Sequence, residues 1–271
     1  MSGTVYDALT ADGINAAVTA DRAISVTVSD EVGSTNTVLR SLAEDGAPEG
    51  TVVCASSQTA GRGRMGRSFF SPDGSGIYLS ILLRPELSCN DAAMITPAAA
   101  VAVCRAIRRV CGIEAQIKWV NDVFAGEKKV CGILTESSVS GKNVAYAVVG
   151  IGVNVYEPHG GFPDAVRDIA GAVTDVRETG LRDRLCAAII DEVFALYDGL
   201  ADRSFLGEYR ERCFIIGRRV GVVPVAMAGS DGIAGEATVI GIDGDCRLML
   251  RFDDGRTVAM SSGEVRVKPI R

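Results

Sequence analysis

This sequence of 271 residues contains a single histidine, and none of its cysteines form a C-x-x-C pair. The one histidine, His159, lies in the turn-like segment PHGG, and a single imidazole excludes His-based catalytic triads and His-rich zinc sites. The eight cysteines include no C-x-x-C pair, and a cytosolic chain of this length does not need disulfide bonds for stability. We therefore expect all eight to be small hydrophobic side chains, with Cys104 and Cys111 on one buried helix face.

Long apolar runs are also missing. The richest, PAAAVAVC, is followed by Arg105 and falls far short of the roughly 18 residues of a membrane helix. The first residues, MSGTVYDALTADG, contain neither the basic nor the apolar region of a secretion signal. We expect a cytoplasmic protein without a membrane partner.

Positive charge is in deficit, with 28 lysines and arginines against 34 aspartates and glutamates. A chain of net charge -6 without a basic face is not expected to bind nucleic acid as its main partner. No G-x-x-x-x-G-K-[ST] motif is present, and GIGVN at 150–154 lacks the third glycine of a dinucleotide-binding fingerprint. The sequence therefore contains no P-loop and gives only weak support for a Rossmann fold.

Against this acidic background, the segment Ser56–Phe70 (SSQTAGRGRMGRSFF) concentrates three glycines and three arginines and has no acidic residue. Glycines let a ligand approach the main chain closely, and arginines donate forked hydrogen bonds to carboxylate and phosphate oxygens. A solvated loop or an unspecific nucleic-acid contact would have a similar composition. Because the segment lies between two apolar runs, we interpret it as a flexible loop within a domain that clamps an anion.

The rest of the chain mixes short apolar strands with helices. Strands are predicted at AISVTVS (an edge strand), TVVCASS, IYLSILLRP, AQIKWVN, both arms of a hairpin that turns at Gly126 and Glu127, and VAYAVVGIGVNV (a central strand). Helices are predicted after a side-chain cap at Ser34 or Thr35, over DAAMITPAAAVAVCRAIRRV, and over LRDRLCAAIIDEVFALYDGL and SFLGEYRERC.

From Gly217 the pattern changes to short alternating strands with Asp-Gly turns, which predicts a small all-β barrel. The predicted domains are residues 1–216, of mixed α and β structure, and residues 217–271.

Four polar clusters stand at the ends of the apolar runs: Ser34–Asn36, Gln58 with the Arg-Gly loop, Lys118–Asp122 and Gly150–Asn154. We expect them to converge on one pocket at the edge of a sheet.

The individual residues of these clusters allow more than one interpretation. Lys118, which follows an apolar strand, is either an edge residue whose charge reaches solvent or a positioned cation. Asn121 and Asp122 are also common in turns and helix caps. Lys129 is a solvated hairpin charge unless the pocket reaches it.

Five motifs then occur in one order: STN at 34–36, QTAGRGRMGR at 58–67, KWVND at 118–122, KKVCGIL at 128–134 and GIGVN at 150–154. Together they resemble the bacterial biotin protein ligases (biotin–[acetyl-CoA-carboxylase] ligases), and the resemblance extends from about residue 26 to the C-terminus. It implies an α+β fold, with a mixed-sheet, class II synthetase-like catalytic domain and a small C-terminal SH3-like β-barrel domain. The implied assembly is a monomer or a homodimer.

The resemblance also implies a reaction in two steps. Biotin and Mg-ATP form biotinyl-5′-AMP and pyrophosphate, and one lysine of a biotin carboxyl carrier domain then attacks the mixed anhydride. ATP and Mg²⁺ are thus the implied cofactors and biotin is a substrate. The first step brings a carboxylate against a polyanionic phosphate, so the site must supply cations, and a loop that covers the adenylate would keep water out.

The site residues follow from the same resemblance. Those implied to bind biotin are Ser34, Thr35, Asn36, Gln58, Arg62, Gly63, Arg64 and Lys118. Those implied to bind ATP or the adenylate are Arg64, Arg67, Phe69, Asn121, Asp122, Lys129 and Asn154. Lys118, Arg62 and Arg64 are the implied catalytic residues, and no residue is assigned as a metal ligand.

Two departures from the family pattern matter. Val120 replaces the proline usual in KWPND, which loosens one turn but removes no functional group. No helix-turn-helix sequence precedes the first motif, so we expect a monofunctional ligase without operator binding. The alternatives are a lipoate or octanoate ligase of the same fold and a biotin-binding module that does not transfer biotin.

Overall fold

The structure is a computed structural model that describes residues 7–141, 143–224, 235–261 and 265–269. Residues 262–264 of the predicted strand segment RTVAMSSGEVRV lie outside the described residues. The described α-helices are α1 (Ala11–Ala17), α2 (Thr35–Glu44), α3 (Cys89–Ala92), α4 (Ile95–Cys111), α5 (Asp164–Arg167), α6 (Leu181–Asp198) and α7 (Phe205–Arg212). The described strands are β1 (Ser25–Val32), β2 (Thr51–Gln58), β3 (Gly76–Leu83), β4 (Ala115–Lys118), β5 (Asp122–Ala125), β6 (Lys128–Ser140), β7 (Asn143–Asn154), β8 (Arg219–Pro224), β9 (Gly235–Ile242), β10 (Leu248–Phe252), β11 (Thr257–Met260) and β12 (Val265–Pro269).

The first seven strands form one mixed sheet in the order β1-β2-β3-β7-β6-β5-β4. β1 pairs in parallel with β2, and the other neighbouring strands pair antiparallel. The predicted edge strand β1 and the predicted central strand β7 are both confirmed. The α+β class with a mixed sheet is confirmed as well.

The two faces of this sheet carry different layers. On β3, Ile77, Leu79 and Ile81 belong to the main core, to which α4 and α6 contribute their apolar sides. Ser80 and Leu82 point to the opposite face, because side chains alternate along a strand. Leu82 packs there with α2 in a smaller cluster, and Ser80 contacts the start of α2. One face is therefore covered by the long helices, and the other is only partly covered by α2.

The N-terminal segment forms α1, a helix that the sequence pattern did not predict. Two carboxylates of α6 hold this segment in place. Asp183 accepts hydrogen bonds from the Thr10 backbone N–H and hydroxyl, both at 2.8 Å, and Asp191 accepts from the Thr19 backbone N–H (3.0 Å) and hydroxyl (2.7 Å). A helix of seven residues is too short to be stable alone, so these tertiary contacts rather than helical periodicity determine it.

The last five strands form a separate antiparallel sheet in the order β11-β10-β9-β8-β12, and the predicted small C-terminal β domain is confirmed. It begins at Arg219, close to the predicted boundary between residues 216 and 217, which itself stays a prediction. Arg210 of α7 donates from Nε to the Ile242 carbonyl oxygen at 2.9 Å, so the second sheet rests directly on the first domain.

The prediction for the cysteines is only partly right. Six are buried, but Cys111 is half-buried and Cys89 is exposed. Cys89 begins the short surface helix α3, and Cys111 is the last residue of α4, where the helix leaves the core. Within the described residues no helix is both long and apolar enough to span a membrane.

Candidate functional site

A cleft lies over the α2 face of the seven-stranded sheet. It is lined by parts of α2, the Arg-Gly loop (residues 59–70), the corner after β4, and β3, β6 and β7. Thirteen of the fourteen predicted site residues line it: Ser34, Thr35, Asn36, Gln58, Arg62, Gly63, Arg64, Arg67, Phe69, Lys118, Asn121, Asp122 and Lys129. The expected convergence is confirmed, but the expected position at a sheet edge is wrong.

Glycines explain why the cleft can lie on the sheet face. Gly132, Gly150 and Gly152 expose bare backbone at neighbouring points of β6 and β7. A Cβ at Gly150 would lie 2.1 Å from Asn36 Oδ1, and one at Gly152 would lie 2.6 Å from the Phe69 ring. Any side chain there would displace the residues that wall the cleft, so the floor requires glycine.

The amide of Gln58 shapes one wall. Its Oε1 accepts hydrogen bonds from the Thr35 backbone N–H at 2.9 Å and the Thr35 hydroxyl at 3.2 Å, and its Nε2 donates to Ser71 Oγ at 2.9 Å. The predicted side-chain cap of α2 is wrong, because Ser34 stands at the N-cap position without a capping hydrogen bond. Gln58 instead satisfies the first amide of the helix, which links β2 to α2 at the cleft.

Asn36 is held beneath the cleft by a residue that the sequence did not single out. Ser80 Oγ lies 2.6 Å from Asn36 Oδ1 and 2.8 Å from Thr35 Oγ1, and Ser80 is fully buried. The available signal was a single serine in the apolar strand IYLSILL. A buried hydroxyl requires polar partners, and Ser80 finds them in the STN motif.

The Arg-Gly loop folds as a hydrogen-bonded hairpin. The Gly63 N–H donates to the Arg67 carbonyl oxygen at 2.7 Å, and the Phe69 N–H donates to the Gly61 carbonyl oxygen at 2.8 Å. Gly66 turns the chain with φ at 72°, a left-handed angle that favours glycine. The flexibility that its composition predicts stays a prediction.

Two arginines of this hairpin reach opposite ends of the cleft. Arg62 forms a two-point ion pair with Glu136 of β6, with Nη1–Oε2 at 3.1 Å and Nη2–Oε1 at 3.0 Å. Arg64 donates from Nη1 to Asn121 Oδ1 at 3.0 Å, in the corner that follows β4. Sequence reasoning missed Glu136, whose only signal was an acidic residue two positions after Leu134, on the same strand face.

The Arg64 end of the cleft is rich in cations. Lys129 Nζ lies 2.6 Å from Asp122 Oδ1, which is the one carboxylate among the lining residues. Burial lowers the pKa of Lys118, and the charges of Lys129 and Arg67 lower it further, while Asp122 opposes them. Burial likewise lowers the pKa of Arg64. A pocket whose cations destabilise one another in this way favours an anionic ligand.

The corner that carries Lys118 is held by the turn between β9 and β10 and by α7. Trp119 donates from Nε1 to the Cys246 carbonyl oxygen at 2.9 Å, and the Tyr209 hydroxyl donates to the Val120 carbonyl oxygen at 3.1 Å. The Trp119–Val120 peptide bond is cis. The second domain thus takes part in positioning a residue of the cleft.

Asn154 is the predicted site residue that the structure does not bring into the cleft. It ends β7, and its Nδ2 donates to the Gly171 carbonyl oxygen at 3.1 Å. Its side chain fastens the segment that follows α5 to the sheet, away from the residues that line the cleft.

The cleft offers little to a metal ion by itself. No group of three histidine, cysteine, aspartate or glutamate side chains is arranged for metal binding in the described part of the chain. Asp122 is already paired with Lys129.

Two family models match the sequence. One is described as the biotin/lipoate A/B protein ligase family and matches residues 28–154, which contain every residue of the cleft. The other is described as the biotin protein ligase C terminal domain and matches residues 223–267.

Named relatives match this chain over segments of different length. The bifunctional ligase/repressor BirA of Bacillus spizizenii is 43% identical over 145 residues, which are 54% of this chain and 45% of that protein. The chain thus spans about half the length of that relative and of the Bacillus subtilis one. The biotin–[acetyl-CoA-carboxylase] ligase of Mycobacterium tuberculosis is 33% identical over 245 residues, which are 87% of this chain and 86% of that protein.

Among solved structures, the biotin protein ligase from Aquifex aeolicus in complex with biotin and ATP matches with a TM-score of 0.73 and 25% identity. The match covers 91% of this chain and 99% of that one, so it includes both domains.

Proposed function

This chain belongs to the biotin protein ligase family, and we propose that it catalyses ATP-dependent biotinylation of a protein lysine in two steps. In the first, a biotin carboxylate oxygen attacks the α-phosphorus of ATP, and pyrophosphate leaves as biotinyl-5′-AMP forms. In the second, the amine of a carrier lysine attacks the biotinyl carbonyl, loses a proton, and AMP leaves.

The observation that carries this proposal is the composition of the cleft. A wall of neutral hydrogen-bonding groups at Ser34–Asn36 and Gln58 stands at one end, and the cations Lys118, Lys129, Arg64 and Arg67 stand at the other. Biotin has the same division, since its ureido ring is neutral and polar and its carboxylate is an anion. We propose that the ring occupies the first end and the carboxylate reaches the second.

The cations would supply the electrostatic part of the first step. Lys118 and Arg64 both line the cleft. In this proposal they stand beside the point where the carboxylate meets the α-phosphate, and their fixed positive charges offset the repulsion between the two anions. Neither step requires a nucleophile from this chain, because the biotin carboxylate and the acceptor lysine attack in turn. The Arg-Gly loop would cover the mixed anhydride and keep water from it.

The nucleotide side is assigned to Arg67, Phe69, Asn121, Asp122 and Lys129. The Phe69 ring lies over the glycine floor and presents an apolar surface next to charged groups. Magnesium enters this proposal as part of the Mg-ATP substrate, since the cleft offers one carboxylate and that one is paired. Asn154 is not supported as a nucleotide ligand by its position.

The acceptor in this proposal is the biotin carboxyl carrier domain of acetyl-CoA carboxylase or a related biotin enzyme. Neither DNA nor a membrane takes part. Cytoplasmic location and the choice between monomer and homodimer stay predictions.

Mass spectrometry of a carrier domain tests the whole reaction. Incubation with this protein, biotin and ATP should add the mass of one biotin to a single lysine. Lys118→Ala should lose most adenylate formation, since loss of one such donor typically costs about 100- to 1,000-fold in rate. A wild-type rate in that variant would contradict the role given to Lys118.

Lipoate or octanoate ligation is the alternative within the same family model. ATP–pyrophosphate exchange with each acid alone separates the two activities. Exchange that depends on biotin supports the proposal, and exchange with lipoate alone would overturn it. Biotin binding without any exchange would indicate a binding module.

A further inference from the structure

Glu136 is an acidic residue at the end of a cleft that is otherwise suited to anions. It lies on β6 and is only 24% exposed at its side chain, whereas Arg62 is 41% exposed. Its two carboxylate oxygens bind both terminal nitrogens of Arg62, and Oε2 also accepts a hydrogen bond from Asn36 Nδ2 at 2.9 Å. We propose that Glu136 is a positioning residue that fastens the Arg-Gly loop over the Ser34–Asn36 end of the cleft.

The position of Glu136 follows from strand alternation. Gly132, Leu134 and Glu136 share the cleft face of β6, and the first two line the cleft itself. Glu136 comes next on that face and stands beyond the lining residues, so it can hold the loop without occupying the ligand volume. A planar guanidinium paired at two points with a carboxylate also fixes the direction of the arginine, which a single contact would not do.

The loop is thereby held at two separated points. Arg62 is bound to Glu136 at one end of the cleft, and Arg64 is bound to Asn121 at the other. The hairpin hydrogen bond between Gly63 and Arg67 lies between these anchors. Loss of the Glu136 anchor should therefore free the part of the loop above the predicted ring site while the Arg64 anchor remains.

Glu136 also joins the loop to the wall of the cleft. The same Oε2 atom accepts from Arg62 and from Asn36, while the other side of the Asn36 amide is held by buried Ser80. The carboxylate of Glu136 therefore supports both the orientation of Asn36, which the ligand would contact, and the position of the loop above it. On the proposed function, Glu136 should affect how long the adenylate stays bound more than how fast it forms.

Limited proteolysis tests the anchor without reference to catalysis. In the Glu136→Gln variant, tryptic cleavage after Arg64 and Arg67 should be about fivefold faster than in the wild type, because a partly exposed ion pair is lost. Cleavage of a loop that opens and closes rapidly follows its open population, so the rate reports the anchor directly.

The control is Glu192→Gln. Glu192 is a similarly buried glutamate, 17% exposed, that pairs with Arg109 between α6 and α4 on the opposite face of the sheet. This variant should be cleaved in the loop at the wild-type rate. The proposal is overturned if Glu136→Gln and Glu192→Gln behave alike.

A double-mutant cycle shows whether Glu136 acts through Arg62. Arg62→Gln should accelerate cleavage after Arg64 and Arg67 to a similar extent, and the double variant should add little, since both changes remove one contact. Additive effects would contradict the proposal. Should Glu136→Gln prove unfolded by circular dichroism, wild-type cleavage in Arg62→Gln overturns the proposal by itself.

The second measurement rests on the proposed function. Biotinyl-5′-AMP formed on the enzyme should be lost to solvent about fivefold faster in Glu136→Gln, with the KM for ATP unchanged. A merely structural role would change both. If the wild type forms no biotinyl-5′-AMP, the proposed function fails, whereas the proteolysis result still decides the role of Glu136.

Discussion

At the scale of single residues, Lys118 combines partial burial with a crowded positive neighbourhood. Its pKa is lowered mainly by burial, Asp122 opposes that effect, and the nearby charges of Lys129 and Arg67 add to it. A carboxylate that binds beside it would favour the charged form and raise the pKa again. The protonation of Lys118 should therefore be coupled to the binding of an anion.

The pH dependence of ATP–pyrophosphate exchange checks this coupling. Because the free protein holds Lys118 at a lowered pKa, kcat/KM for biotin should fall on the alkaline side before the ordinary lysine value of about 10.4 is reached. The corresponding limb of kcat should lie at higher pH, since the bound anion raises the pKa. In Lys118→Arg, whose charge does not titrate in this range, the limb should vanish from both profiles. Identical limbs in kcat and kcat/KM would contradict the coupling.

Gly150 shows how a single missing side chain shapes the cleft. A Cβ at this position would lie 2.1 Å from Asn36 Oδ1, and the Asn36 amide is fixed by Ser80 and Glu136. Gly150→Ala should therefore raise the KM for biotin about tenfold or more, because overpacking typically costs about 1–3 kcal/mol. Steady-state kinetics measure the change.

The matched control is Gly207→Ala in α7, where a Cβ would meet nothing within 4 Å. This variant should bind biotin normally and gain about 0.5–1 kcal/mol in unfolding free energy, because alanine favours a helix. A normal KM in Gly150→Ala would show that the floor tolerates a side chain.

At the scale of elements, the first backbone amide of α2 is capped by a side chain from strand β2. The sequence pattern predicted a local cap at Ser34 or Thr35, but the Thr35 amide donates to Gln58 of β2 instead. Local signals identified the helix and the region where it begins. They could not reveal a cap supplied from 23 residues away.

The Gln58→Leu variant tests this tertiary cap. Loss of the acceptor should reduce the unfolding free energy by about 1 kcal/mol, as for other helix caps, and should weaken biotin binding because the STN motif loses its support. Denaturant unfolding and biotin titration measure the two effects. Gln116→Leu, on the exposed face of β4, is the control and should change neither. An unfolding free energy equal to that of the wild type would refute the cap.

At the scale of the whole molecule, the sequence predicted the strands well because long apolar runs such as VAYAVVGIGVNV are typical of a central strand. The five motifs located the cleft residues because each motif is a continuous stretch of sequence that can be recognised without knowledge of the fold. Like the cap from Gln58, the helix α1 and the roles of Ser80 and Glu136 were not predicted, because each of these three depends on partners more than 40 residues away. The expected edge position was wrong because the role of Gly132 and Gly152 as a bare floor appears only once the strands are paired.

The contact between the domains yields a prediction at this scale. Trp119→Phe removes the indole N–H and leaves the Cys246 carbonyl oxygen without that donor, which should cost about 1–2 kcal/mol in unfolding free energy. Adenylate formation should also slow, because Lys118 is the neighbouring residue. Circular dichroism is the suitable probe, since Trp119 is the sole tryptophan. Equal stability and an equal rate would contradict a positioning role for the C-terminal sheet at this corner.

The floor of the cleft is formed by β3, β7 and β6, which are held together by strand pairing. Any fluctuation that separates β7 from its neighbours therefore destroys the floor of the binding surface. Because a ligand binds only the paired state, its binding must make that fluctuation rarer. Amide hydrogens of the central strands, including those far from the ligand along β7, should then exchange with deuterium more slowly when the cleft is filled. Slower amide exchange along the central strands would thus report that the cleft is occupied.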